Sequence, residues 1–179
     1  MIDGSAVLIA GPPGAGKSSL AAALVRAGGQ LLSDDAVALQ LRENELVAHA
    51  GSVMLQLRPA EDRQLSPQGR AALGRPASCA SGKHRYVSAN VPAAVPLGSM
   101  FLLEQSIEQP AVERLAAVDP FELIGSTFNL SVRTPQRLRR QLDVVSMIAS
   151  RGLAHRLRVH PQVDAARLAA MLREHLREL

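Results

Sequence analysis

Aromatic side chains are nearly missing from this chain: among 179 residues there are Phe 3, Tyr 1 and Trp 0. Without stacking residues, a single-strand nucleic-acid platform is disfavoured, and the core must be built from Leu, Val, Ile and Ala. Cysteine occurs once, at Cys79, which excludes an intrachain disulfide and a cysteine metal cage. Long hydrophobic runs are absent too. The first apolar run, residues 5–10, has no basic stretch before it and is too short for a signal-peptide core or a membrane span. The expectation is a cytoplasmic chain with no membrane partner. What is present is a 47% hydrophobic content on a length that suits one domain, residues 1–179. Lys plus Arg number 20 against 16 acidic residues, for a net charge of +4. That balance suits an acidic partner, and it equally suits an Arg-rich solvated surface.

Residues 5–10 read as a buried strand between Gly4 and Gly11. Residues 17–26 read as a helix with Leu20, Leu24 and Val25 inward, closed by Gly28-Gly29. A strand is expected over 30–33, and a hairpin over 37–49 turning at Arg42-Glu43-Asn44-Glu45. Short strands are expected over 53–58, 83–91, 99–104 and 112–115. Residues 59–82, rich in Pro, Gly, Ser and Arg, read as a long mobile excursion. Asp119-Pro120 and Thr134-Pro135 are helix starts. The helix after Thr134 puts Leu138, Leu142, Val145 and Ile148 on one face. A strand over 153–159 and a last helix from Asp164, burying Leu168, Met171, Leu172, Leu176 and Leu179, complete an α/β chain.

The chemistry is concentrated in residues 6–35. Gly11, Pro12, Pro13, Gly14, Ala15, Gly16, Lys17 and Ser18 satisfy G-x-x-x-x-G-K-[ST] in full, with a strand before and a helix after. Glycines let successive N–H groups turn around a phosphate chain. Lys17 supplies a point charge for the β- and γ-phosphates, and Ser18 a hydroxyl for Mg²⁺. The helix N-terminus adds its positive dipole end. Asp34 and Asp35 end the next segment. One carboxylate suits the metal and the other an attacking hydroxyl, with the assignment open. Adjacent strand side chains point opposite ways, so both serve one site only if the chain bends after Asp34. Arg85, in Lys83-His84-Arg85, is the candidate cation for the transferring phosphoryl group, with Arg58 a weaker one. His49 reads as an edge histidine, and Arg137, Arg139 and Arg140 as the wet face of a helix.

The run from Gly14 to Ser19, followed by Leu24-Val25-Arg26-Ala27-Gly28-Gly29-Gln30-Leu31-Leu32-Ser33-Asp34-Asp35, resembles the catalytic domain of HPr kinase/phosphorylase. The remainder resembles, at pattern level, the shorter HPr-kinase-related proteins, including those associated with lasso peptides. There a K-x-R segment, here Lys83-His84-Arg85, precedes a strand. The resemblance implies a P-loop fold of the HPr kinase and phosphoenolpyruvate-carboxykinase-like type, with a mixed central sheet flanked by helices. It implies ATP-dependent transfer of a γ-phosphate to a serine hydroxyl of a small protein or peptide, with GTP as an alternative donor. Lys17, Ser18 and Ser19 then bind phosphate, Ser18, Asp34 and Asp35 hold Mg²⁺, and the Asp pair, Lys17 and Arg85 are catalytic. Pro12-Pro13 stands where the family has polar residues, and its second signature segment has no counterpart over 51–80. A metabolite kinase and a nucleotide-binding regulatory module are the alternatives. A homo-oligomer stays open, and nucleic acid is not an expected partner.

Overall fold

The structure, a computed structural model, describes residues 1–77, 82–116, 118, 123–124 and 134–179. The strands are β1 (Ala6–Ala10), β2 (Ala38–Arg42), β3 (Glu45–His49), β4 (Met54–Leu57), β5 (Arg75–Ala77), β6 (His84–Val87), β7 (Ala94–Gln105), β8 (Ala111–Arg114) and β9 (Ala154–Val159). The helices are α1 (Lys17–Arg26), α2 (Pro59–Arg63), α3 (Pro67–Leu73), α4 (Pro135–Ser150) and α5 (Ala165–Arg177). The main sheet runs β2-β3-β7-β9-β8, with β1 also paired to β7. β1 and β9 lie parallel to β7, whereas β3 lies antiparallel to β7 and β8 antiparallel to β9, so the sheet is mixed. A second, antiparallel sheet has the order β4-β6-β5.

β7 is the spine. Its first residues alternate buried and exposed, while residues 99–103 are buried without interruption. The change follows the neighbours: parallel strands covered on both faces read as continuous apolar runs. On one face Ala6, Met100 and Leu102 pack with Val145 and Ile148 of α4. On the other Phe101 and Leu103 pack with Leu20 and Leu24 of α1 and Leu168 and Leu172 of α5. A third cluster joins Ala22 of α1 and Leu31 to Leu55, Leu57, Leu73 and Tyr86 of the small sheet and α3. The alanine-rich α1 is therefore enclosed between the two sheets.

Several expectations are corrected. Residues 30–33 form no strand. Their backbone groups are used singly: Gln30 N–H donates to Met1, and the Leu32 carbonyl accepts from Gly51. The weakly periodic stretch 59–82 carries α2, α3 and β5 in its described residues, because Pro59 and Pro67 start short helices capped by Glu61 and Ser66. On α4 the buried positions are confined to the second half, leaving Leu138 42% and Leu142 49% exposed. Leu179 lies beyond α5 and is exposed. The 37–49 hairpin forms as expected, with Glu43 and Asn44 both at positive φ as a tight two-residue turn requires. Thr134 and Asp164 cap α4 and α5. Asp119-Pro120 and Cys79 lie outside the described residues. No helix among the described residues is long and apolar enough to cross a membrane.

A histidine pair joins β9 to α5, with His155 fully buried and His175 partly so. His155 of β9, 1% exposed, stacks on Phe101 at 5.0 Å, and its Nδ1 lies 3.2 Å from His175 Nε2 of α5. Burial, with the charges of His175 and Arg114, pushes His155 down to about 4. The unfolded chain then takes up a proton below the ordinary histidine value that the folded chain refuses. This stability is full above pH ~6.5 and is lost as pH falls towards 4. Urea unfolding should show about 2 kcal/mol less stability from this group at pH 5 than at pH 7.5, and His155→Leu should flatten that slope.

Candidate phosphate-binding site

The loop 11–16 leaves β1 and turns into α1 with Gly14 and Gly16 at φ 80 and 92. Gly11 passes so close to β7 that a Cβ would sit 3.0 Å from Leu103 Cβ. A larger residue there would push the loop off the sheet. Pro12, Pro13 and Gly14 are exposed and Ala15 is buried in the core behind the loop. Lys17 Nζ donates to the Gly11 and Pro12 carbonyls, each at 2.9 Å, which places the ammonium across the loop.

Two consecutive hydroxyls leave the first turn of α1 in different directions. Ser18 Oγ donates to Asp34 Oδ1 at 3.2 Å, and Asp34 Oδ2 accepts the Gln56 N–H of β4 at 3.3 Å. Ser19 Oγ donates to Glu61 Oε1 of α2. The chain bends at Asp34 and Asp35 rather than running on as a strand. That bend meets the geometric requirement of a shared site, and Lys17, Asp34 and Asp35 line one cavity of about 110 Å³. The bend is held by close approach at Gly51, where a Cβ would lie 2.5 Å from Ser33 Oγ and 2.8 Å from the Ala36 carbonyl. Asp34 N–H donates to the Ser52 carbonyl at 2.9 Å.

Burial raises the Asp34 pKa, as does Asp35, while Ser18, the Gln56 N–H and Lys83 pull it the other way. A half-buried carboxylate whose charge is disfavoured is the kind of group a cation stabilises. Ser18 and Asp34 offer two hard oxygens side by side, which fits Mg²⁺. That ion keeps most of its shell as water and phosphate oxygens. Among the described residues no cluster of three or more His, Cys, Asp or Glu forms a closed metal cage. Asp35 is exposed.

The basic trio divides its work. Lys83 acts electrostatically on Asp34. His84 Nδ1 lies 3.5 Å from Asp62 Oδ2. Arg85 sits on β6 opposite Gln56 and Ala77, its buried Nε without a hydrogen-bond partner. His49 Nε2 meets Gln40 Oε1 at 3.0 Å on the hairpin, away from this site. Arg139 and Arg140 are exposed on α4.

Sequence reasoning missed Glu61 and Asp62. Glu61 accepts from Ser19, from the Arg58 backbone N–H at 2.9 Å and from Arg58 Nη2 at 2.9 Å. Burial opposes its charge, but Arg58 and Ser19 prevail and hold it at about 2. Asp62, buried, accepts the Tyr86 hydroxyl and lies 3.4 Å from Arg70 Nη2. Burial works against its charge as well, yet Tyr86, His84 and Arg70 keep it below the carboxylate range, while burial and Asp62 push Tyr86 up to about 12. The signal was there: Arg58-Pro59 followed by Glu61 has a helix-start proline and the acidic third position of a capping box.

The fold and site define a mixed-sheet α/β chain with a glycine-rich loop between β1 and α1 and an acidic pair beside it. No protein-family model matches the chain, and no curated protein matches it. Among solved structures it is similar to the Hpr(Ser) kinase/phosphatase from Coxiella burnetii, at 19% identity and a TM-score of 0.49, covering 99% of this chain and 91% of that one. A likeness at that level assigns neither family nor activity.

Gly51→Ala should cost roughly 1–3 kcal/mol by overpacking the Asp34 bend. Gly14→Ala, whose Cβ would meet open space, should cost about 1–2 kcal/mol from its left-handed φ alone. Urea denaturation of both variants, with an unaltered m-value, checks the pair.

Proposed function

We propose that residues 1–179 form one P-loop kinase domain that transfers the γ-phosphate of ATP, with Mg²⁺, to a serine hydroxyl of a small protein or peptide. The observation that carries this reading is the Ser18 Oγ to Asp34 Oδ1 bond of 3.2 Å at the mouth of the phosphate loop, with Lys17 and Asp35 lining the same cavity. The sequence resemblance of 14–35 supports it independently of the geometry.

Each residue has a task that its position suits. The backbone N–H groups from Gly14 to Ser18, which follow the donor-less Pro12 and Pro13, and the α1 dipole bind the β- and γ-phosphates. Lys17 neutralises charge on them. Ser18 and Asp34 hold Mg²⁺, which when bound screens the phosphate charge. Asp35, exposed beside this pair, accepts the proton of the serine hydroxyl. The serine oxygen forms its bond to the γ-phosphorus, the bond from that phosphorus to the bridging β–γ oxygen breaks, and ADP departs with the electron pair. Arg85 on β6 and Lys83 just before it are the candidate cations for the transferring phosphoryl group, and Lys83 is the one coupled to Asp34. The exposure of Asp35 favours a protein or peptide acceptor over a metabolite enclosed under a lid.

Transfer of labelled γ-phosphate from ATP and from GTP should be measured against HPr and serine peptides encoded beside the gene, with phosphoamino-acid analysis. Asp35→Asn should lower turnover about 10²–10⁴-fold, while ATP affinity stays within a few-fold. Lys17→Ala should abolish transfer. Unchanged turnover in Asp35→Asn would remove the base from this mechanism.

A further inference from the structure

Glu61 puts a carboxylate against the first turn of a helix whose N-terminus collects anions. Left alone, a negative charge there would repel a triphosphate. It is not left alone. One oxygen, Oε1, takes both the Ser19 hydroxyl and Arg58 Nη2, and the other takes the Arg58 backbone N–H. The Arg58 guanidinium is therefore two hydrogen bonds from Ser19 Oγ, on the turn that follows Lys17. The Arg58 side chain is 72% exposed and that of Glu61 24%. An exposed Arg–Glu pair three residues apart adds little to stability, so stability alone gives no reason for a guanidinium at this place. Its chemistry does. A planar fork with donors to spare suits phosphate oxygens in a way a lysine point charge does not.

We propose that Glu61 is a positioning residue that holds Arg58 as a second cation, beside Lys17, against the phosphates of the bound nucleotide. The inference rests on the reading of 11–18 as a nucleotide site and goes beyond it. The pair is close to neutral as a unit, so it adds donors without leaving an uncompensated carboxylate near the phosphates. The low pKa of Glu61 is consistent with a carboxylate that stays ionised across the working range. α2 then serves as a bracket. Its N-cap residue presents the cation, its third residue holds that cation, and Asp62 fixes the helix to Tyr86 of β6.

The test is titration calorimetry of a non-hydrolysable ATP analogue with Mg²⁺ on the full chain and on Arg58→Ala, Arg58→Lys, Glu61→Gln and the Arg58→Ala/Glu61→Gln double variant. Each alanine or glutamine change should weaken binding about tenfold, and the double variant should be no weaker than either single one, because both remove the same contact. Arg58→Lys should recover part of the loss. Thermal melts of the free variants should stay close to that of the unaltered chain. The proposal is overturned if Arg58→Ala binds as the unaltered chain does, if the two losses multiply, or if Glu61→Gln melts early while Arg58→Ala binds normally. Should the unaltered chain bind the analogue with this coupling yet phosphorylate no serine, the kinase reading fails and the role of Glu61 stands. Should it bind no nucleotide, both fail.

Discussion

Ser18 and Ser19 are adjacent, and between them they tie the glycine-rich loop to the rest of the molecule. Ser18 reaches Asp34, whose second oxygen is held by the backbone of β4. Ser19 reaches Glu61 on α2. The first turn of α1 is thereby fixed to the acidic segment on one side and to the small sheet and its helix on the other. Both are hydrogen bonds to carboxylates, a class worth about 1.5–3 kcal/mol each, the one to Asp34 long at 3.2 Å and the one to Glu61 short. Their effect is geometric: the glycine-rich loop, the Asp34 bend and the Arg58–Glu61 pair keep one arrangement because a single helical turn carries their attachments.

The body of the protein is arranged to keep that turn still. Half of α1 is alanine and leucine, which lets it lie between the main sheet and the small one. Bulkier residues would part the layers. β7, the longest strand, receives β1 on its parallel register and so places the start of the loop against Leu103. The tightest contacts of the site, at Gly11 and Gly51, are made by residues that contribute no side chain. Several of the basic residues are engaged in surface pairs, such as Arg158 with Glu113 and Arg156 with Glu104, which say little about a partner.

Residues whose role is set by local pattern were legible. The turn from β1 through the glycine-rich loop into α1, the 37–49 hairpin and the Thr134 and Asp164 caps all announce themselves over a few positions. Residues whose role is set by what they meet were not. The expected strand at 30–33 failed because its apolar run is spent filling the third core through Leu31, with no neighbouring strand to ladder against. Leu138 and Leu142 carry helical periodicity, but periodicity does not say how far along its length a helix is covered. Ser66-Pro67 has the same start signal as Thr134-Pro135 and was overlooked because the segment is short and rich in turn formers. Glu61 and Asp62 needed the fold: one finds Ser19 and the other Tyr86, each far along the chain.

The pairing of β1 with β7, and of β7 with β9, has a temporal meaning. Residues 6–10 lie beside 97–102, and residues 100–105 beside 154–159. Pairings so distant along the chain form only after long loops have closed, and they slow folding. The loop that follows β1 lies far upstream of β7, the strand that aligns it, and β7 lies far upstream of β9, the strand that flanks that spine. The loop is therefore made long before the strands that fix its shape, and its geometry is a property of the assembled sheet rather than of its own residues.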